Sequence, residues 1–349
     1  VNARLADHQF ALILRVGGTE RWQLEVHGPT GPLAGTIGDL SYIQQLLAPV
    51  EALRIVYSCG VGDADPVGLP GALRSLRRAG KPDILEALVH DFFMVSPSYC
   101  LLGADGRYRG PVLSGNADPA HIAQGSTGHA VPLERWQAEW HAFLAECAEI
   151  TVFSDSSREV LLGSYPDLAD QIVTRPHQLS EPIEVVAKPK PGQRRTIAVL
   201  GNVNRQKGAQ ILCDMAQRAQ NMRNAPGMVL IGNIDTSFTL PSSIRLHGSY
   251  QRSEISRLAH HYGVTDWLIP SIWPETFSYV THEALATGLP VYGFDIGAQG
   301  EALVRSINGH PIPFDPDDDH ATLVLDVILR GAGELGDMPL QKARTKAAE

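Results

Sequence analysis

The chain has 349 residues, of which 44% are hydrophobic and 19% charged, and its formal net charge is −9. This composition can fill one large core or two medium ones, favours two domains, and excludes a disordered or collagen-like chain. An acidic balance without a Lys/Arg block argues against a broad nucleic-acid footprint, which needs clustered cations to displace phosphate counterions, so no nucleic-acid partner is expected.

In chain order, the first residue is Val1 and an apolar run at 10–14 comes almost at once. This reads as a fragment, or as a domain incomplete at its start. Further β-like runs stand at 22–26, 53–57 and 84–89. Because Trp22-Gln-Leu-Glu-Val26 alternates as a strand does, the preceding Gly17-Gly-Thr-Glu-Arg21 is read as a hairpin turn. Helical periodicity is clearest at 133–147, where Leu133, Trp136, Trp140, Phe143 and Leu144 recur at three- and four-residue steps, the spacing of one buried helix face. Lys188-Pro-Lys-Pro-Gly192 is short, stiff and polar, as an interdomain linker should be. From Thr196 the pattern becomes regular: a strand at 196–200 ends in Gly201, and a helix comes next at 209–220. The alternation continues with 228–231, a capped helix near Ser253, 267–269, a helix at 278–287 and 290–294. Strands alternating with helices of these lengths predict a parallel sheet covered on both faces. The domain plan is an N-terminal domain over 1–187, a linker at 188–195, a C-terminal domain over 196–330 and a tail at 331–349. Cys59, Cys100, Cys147 and Cys213 are far apart and lack C-x-x-C spacing, so the expectation is reduced thiols in a cytoplasmic protein, with no structural zinc. No stretch approaches the roughly eighteen apolar residues of a membrane span, while contact with a membrane surface stays open.

Open parallel sheets bind ligands at the carboxyl ends of their strands. The loop Gly201-Asn-Val-Asn-Arg205-Gln-Lys207-Gly208 leaves a strand and opens a helix, gathering glycines, two cations and backbone N–H groups around one point where a phosphate fits. It is not a G-x-x-x-x-G-K-[ST] loop: Lys207 precedes the second glycine, and Ala209 supplies no hydroxyl for Mg²⁺. Turn glycines and solvated cations would explain it about as well. A second loop runs from Ser271 through Glu275 into a helix holding Glu283. Both carboxylates can face a crevice at which the helix N-terminus points its partial positive charge. One would lie near a sugar and the other accept ribose hydroxyls, with a diphosphate held by the N–H groups of Phe277, Ser278, Tyr279 and Val280. A capped helix with two solvated glutamates is the competing reading. A third stretch, His90-Asp91-Phe-Phe-Met-Val-Ser-Pro97, comes directly after the strand at 84–89.

Pro274-Glu275-Thr-Phe-Ser-Tyr-Val-Thr-His-Glu283-Ala-Leu resembles the E-x7-E signature of retaining family 4 glycosyltransferases. Gly288-Leu-Pro-Val291 with Gly297 is similar to the segment on the C-terminal side of that signature in the family, and Gly201 with Lys207-Gly208 resembles the family's phosphate loop. The likeness covers about 196–314. It implies an α/β fold of the GT-B type, two Rossmann-like domains with parallel sheets facing a central cleft. The C-terminal domain would bind a nucleoside diphosphate sugar, with Lys207 on the diphosphate, Glu275 on the donor sugar and Glu283 on ribose. His90-Asp91 resembles the family's strand-end His-Asp segment, which makes His90 and Asp91 catalytic candidates. Arg175-Pro176-His177 resembles a segment near the end of the family's N-terminal domain, although a structural turn explains it equally. One departure stands out. Many members carry an arginine directly after the first loop glycine, where this chain has Asn202, so either Arg205 supplies the charge or the diphosphate is held differently.

The resemblance implies retaining transfer of a sugar from a nucleoside diphosphate to a hydroxyl of a glycan or lipid-linked glycan, with bacterial surface polysaccharide as the acceptor class. No cofactor and no obligatory metal are expected. Asp63-Ala-Asp65 belongs to the N-terminal half, and Asp317-Asp-Asp319 reads as a solvated loop or helix cap. Alternatives are a GT-B epimerase or phosphorylase, or a non-catalytic module that works with other domains of a larger synthase.

Overall fold

The computed structural model describes residues 10–17, 20–28, 31–190 and 192–330. The backbone forms two compact units, Val1–Pro176 and His177–Glu349.

The first unit opens with three strands, β1 (Ala11–Val16), β2 (Trp22–Gly28) and β3 (Gly31–Ile37), paired antiparallel in that order. Val16 stands opposite Trp22, and β1 and β2 pair antiparallel; residues 18 and 19 of the expected turn lie outside the described residues. Helix α1 (Leu40–Leu47) begins at Asp39, whose carboxylate accepts the Ser41 N–H at 2.8 Å, an N-cap contact that satisfies one of the orphan donors of the first turn. Then come β4 (Arg54–Tyr57), α2 (Leu69–Ser75), β5 (Ile84–Leu88), the short pair β6 (Ala123–Gln124) and β7 (Ala130–Val131), α3 (Leu133–Leu144), β8 (Glu149–Val152), α4 (Asp155–Ser164) and β9 (Ile172–Thr174). The strands β4-β5-β8-β9 make a parallel sheet in that order. The aromatic stripe of α3 is core: Trp136, Trp140 and Phe143 are buried, and the Trp136 indole donates to the Phe93 carbonyl at 3.0 Å, which satisfies the one polar atom the ring buries.

The second unit contains β10 (Thr196–Leu200), α5 (Ala209–Ala219), β11 (Gly227–Ile231), β12 (Ile244–Leu246), α6 (Ile255–Tyr262), β13 (Asp266–Ile269), α7 (Tyr279–Ala286), β14 (Val291–Phe294), α8 (Gly297–Val304), β15 (Gly309–Ile312) and α9 (His320–Arg330). All six strands are parallel, in the order β12-β11-β10-β13-β14-β15. Successive side chains of a strand point to opposite faces, and the two cores obey that period. Ile197 and Val199 pack with Leu212 and Met215 of α5 and with Val324 and Ile328 of α9. Ala198 and Leu200 pack with Leu258 of α6, Ala284 of α7 and Leu303 of α8. Burial on both faces explains why these strands read as continuous apolar runs.

Residues 177–187, which the sequence pattern assigns to the N-terminal domain, belong to the second unit. The Val186 N–H donates to the Thr287 carbonyl at 2.8 Å, and the Ser256 hydroxyl donates to the Glu184 carbonyl at 2.5 Å. The tail at 331–349 lies outside the described residues, among which no helix is long and apolar enough to cross a membrane.

Candidate functional site

The sheet order of the second unit reverses between β10 and β13. The loops leaving these two strands part at that point, which is where open α/β sheets bind ligands. The crevice there is lined by Leu200, Val203, Lys207, Pro270, Glu275 and Val280 among others. A larger cavity, about 300 Å³, lies by Thr196, Gly227 and Ser243. That is the opposite end of the strands, away from the loop N–H groups and helix N-termini, so the crevice is the better ligand site.

The loop after β10 is wound tightly. Lys207 N–H donates to the Asn204 carbonyl and to Asn204 Oδ1, both at 3.1 Å; Gly208 N–H donates to the Arg205 carbonyl and Ala209 N–H to the Asn204 carbonyl, both at 3.0 Å. The N–H groups of residues 207–209 therefore hold the turn and are not free to bind a phosphate. Gly201 donates back to the Ile231 carbonyl at 2.8 Å. Gly208 has φ +79°, and a Cβ there would stand 2.1 Å from the Pro270 carbonyl oxygen, so only glycine lets the loop close against the end of β13. The closure is reinforced by the Gln206 carbonyl, which accepts the Ile272 N–H at 2.9 Å. The loop contributes the Val203 and Lys207 side chains to the crevice, Lys207 being its charged group. Arg205 is exposed and does not line the crevice.

Glu275 is buried at 3% exposure, and its Oε2 lies 3.6 Å from Lys207 Nζ. Its backbone is held from α8: the Glu275 N–H donates to Gln299 Oε1 at 3.1 Å, and the Glu275 carbonyl accepts the Ala298 N–H at 2.8 Å. Gln299, fully buried, also donates to the Trp273 carbonyl at 2.8 Å. A Cβ on Gly297 would meet Pro274 Cα at 2.4 Å, so α8 can approach the loop this closely only through glycine.

Helix α7 starts beside this pair. Its N-cap, Ser278, makes no side-chain cap hydrogen bond; the Ser278 hydroxyl instead accepts from Thr281 Oγ1 at 2.8 Å. First-turn N–H groups, here including Tyr279 and Val280, have no acceptor within the helix, and with the dipole they favour an anion. The Phe277 and Tyr279 rings meet edge to face at 4.9 Å; Phe277 stacks on His282 at 4.5 Å and Tyr279 on His177 at 5.4 Å. Burial pushes the His177 imidazole below its usual range.

Glu283 sits one turn into α7 and is buried. Its Oε1 accepts Arg252 Nε at 2.7 Å, a partner that sequence reasoning misses. The 31-residue separation leaves no local pattern by which to find it. Burial and the neighbouring Glu283 charge push the Tyr250 hydroxyl well above its usual range.

In the first unit, His90 comes after β5 and is exposed, with its ring stacked on Phe153 at 4.7 Å. Asp91 is turned inward: Oδ1 accepts the Phe93 N–H at 2.9 Å and Oδ2 accepts the Cys59 thiol at 3.2 Å. Burial raises its carboxyl above the usual range, and burial and that carboxylate push the Cys59 thiol up to about 11. Asp91 thus shapes the turn that carries His90. Arg175 pairs with Glu149 of β8. Asp63 pairs with Arg21, and Asp319 accepts from Thr322 in the first turn of α9 while pairing with Arg218. Among the described residues no group of three or more His, Cys, Asp or Glu side chains is placed to hold a metal ion.

No family model matches the chain, and no curated protein matches it significantly in sequence. Its fold has relatives among solved structures. A sucrose-phosphate synthase from Thermosynechococcus elongatus aligns with a TM-score of 0.52 at 14% identity, over 83% of this chain and 67% of that one. A GtfA/B complex aligns with a TM-score of 0.51 at 13% identity, over 93% and 64%. A mutant of S. aureus TarM, in complex with Fondaparinux, alpha-GlcNAc-glycerol and UDP, aligns with a TM-score of 0.51 at 12% identity, over 91% and 57%. The fold is of the GT-B type. The chain spans less than two thirds of the latter two proteins, and at these identities the likeness speaks for the fold alone.

Proposed function

We propose that the chain is a glycosyltransferase whose second unit binds a nucleoside diphosphate sugar. The observation that carries this reading is the meeting, at the switch point between β10 and β13, of three things: Lys207, the buried Glu275 and the uncapped start of α7. The Lys207 ammonium and the first-turn N–H groups of α7 suit a diphosphate, and Glu275 beside them suits the hydroxyls of the attached sugar. Glu283, one turn further along, takes ribose. The TarM structure, which contains UDP, makes a uridine nucleotide the first to try.

In the reaction, the bond from the anomeric carbon to the diphosphate breaks, a bond to an acceptor hydroxyl forms, and the hydroxyl proton is released. Negative charge grows on the leaving diphosphate and positive charge on the ring. Lys207 and the α7 dipole stabilise the first, while Glu275 orients and stabilises the second. We further propose, on the resemblance of residues 274–285 to the E-x7-E signature, that the anomeric configuration is retained, that His90 is a catalytic residue, and that the acceptor is a bacterial surface glycan. A thermal-shift screen against UDP-, GDP-, dTDP- and CMP-sugars tests the binding, because a ligand of the folded state alone raises apparent stability. Transfer from the labelled donor so identified tests the reaction. Stabilisation by none of these sugars at millimolar concentration would overturn the reading.

A further inference from the structure

Glu283, the carboxylate to which we assign ribose, shares its position with a cation that nothing in the E-x7-E pattern supplies. Its side chain is 7% exposed, and Arg252 Nε donates to Oε1 at 2.7 Å. The same guanidinium donates through Nη1 to the Ser180 hydroxyl at 2.6 Å and lies 5.9 Å from the centroid of the Tyr279 ring. Two segments therefore grip one arginine: the stretch ahead of β10 through Ser180, and α7 through both Glu283 and Tyr279. Such a planar fork, held at several points, has little freedom to turn.

This arrangement has two chemical consequences. Burying a carboxylate is costly unless it is paired and hydrogen-bonded, and Arg252 is the partner that offsets this cost for Glu283. A carboxylate also has two oxygens with about four acceptor positions between them, and fixing Oε1 on Arg252 fixes the direction in which Oε2 can accept. An acceptor fixed in direction discriminates between ligands by whether they bring a hydroxyl to it.

Resting on the donor-site reading above, we propose that Arg252 is a positioning residue that sets sugar specificity in the nucleoside: it orients Glu283 so that the site selects ribonucleoside diphosphates over their 2′-deoxy counterparts. The physical reason is the asymmetry of unmade hydrogen bonds. A site built to bond a hydroxyl rejects the analogue that lacks it, because the buried acceptor is left unpaired, whereas a loosely held carboxylate can turn to another partner.

The test is calorimetric titration of UDP and 2′-deoxy-UDP into the wild-type chain and the Arg252→Ala, Arg252→Lys and Ser180→Ala variants. The wild type is expected to prefer UDP by about ten-fold or more. In Arg252→Ala the ratio of the two affinities collapses towards one. Arg252→Lys keeps the charge and recovers part of the ratio, and Ser180→Ala, which frees one prong of the fork, lowers it. If Arg252→Ala does not fold, the other two variants still decide. A structural role alone would weaken both nucleotides by the same factor and leave the ratio unchanged, and that result would overturn the proposal. So would a wild type that binds both equally, although the donor site would then stand. A wild type that binds neither, with no other nucleotide sugar stabilising it, would instead overturn the donor reading and this inference with it.

Discussion

Replacing Lys207 with alanine separates the two things this residue does. In the structure its ammonium lies 3.6 Å from Glu275 Oε2, with the lysine side chain 37% exposed and the glutamate 4%. Because the lysine is partly in water but the carboxylate is buried, removing the cation should cost more than an exposed pair's ~1 kcal/mol. Diphosphate binding is a different matter. A charge-assisted contact to phosphate is worth about 1.5–3 kcal/mol, so Lys207→Ala should weaken UDP by roughly ten- to a hundred-fold. Uridine carries no phosphate and should bind within about two-fold of wild type, because removing the ammonium beside the diphosphate leaves the nucleoside's own partners intact. Calorimetric titration of both ligands, with a denaturation curve to measure the stability change separately, resolves these magnitudes. Equal losses for UDP and uridine would refute the placement of the diphosphate beside Lys207.

The two glutamates should part in kinetics. Glu275→Gln should lower turnover at saturating donor by about ten-fold or more and leave uridine affinity nearly unchanged, whereas Glu283→Gln should weaken UDP and uridine alike; the reverse pattern would mean the donor lies the other way round. Gly208→Ala should destabilise the second unit more than Gly248→Ala does. Both glycines have positive φ, which costs an L-residue about 1–2 kcal/mol, but a Cβ at 208 also meets the Pro270 carbonyl oxygen at 2.1 Å, while at 248 it meets nothing within 4 Å. Equal denaturant midpoints would refute the close approach. In the first unit, Asp83 is held well below the usual carboxylate range by hydrogen bonds from Arg78, so its contribution to stability is present above about pH 4, the unfolded value, and is lost as pH falls through the folded one. Asp83→Asn should therefore destabilise at pH 7, and the gap to wild type should narrow at pH 3; a gap independent of pH would contradict this.

Much of the second unit is legible in the sequence because burial on both faces leaves its strands as unbroken apolar runs, and because the turns between them need glycine. The E-x7-E spacing likewise places Glu275 ahead of α7 and Glu283 within it. Other features are not local. β3 is hidden because Gly31, Pro32 and Gly35 interrupt it and most of its residues are exposed. β12 has only three residues, and β15 carries Pro311. The N–H groups of residues 207–209 look available in the sequence, yet they are taken up by the carbonyls of Asn204 and Arg205 just upstream. Gln299 and Arg252 reach the site from 24 and 31 residues away, distances over which no period or motif links them to Glu275 and Glu283. The same holds for 177–187: the Pro-rich stretch at 188–192 suggests a boundary, but the segment before it already packs on α6 and α7.

The most direct measurement is a crystal structure of the chain with a bound nucleoside diphosphate. The account predicts the diphosphate between Lys207 and the first turn of α7, with the ribose hydroxyls on Glu283. Density instead in the cavity by Thr196, Gly227 and Ser243, at the amino ends of the strands, would contradict it.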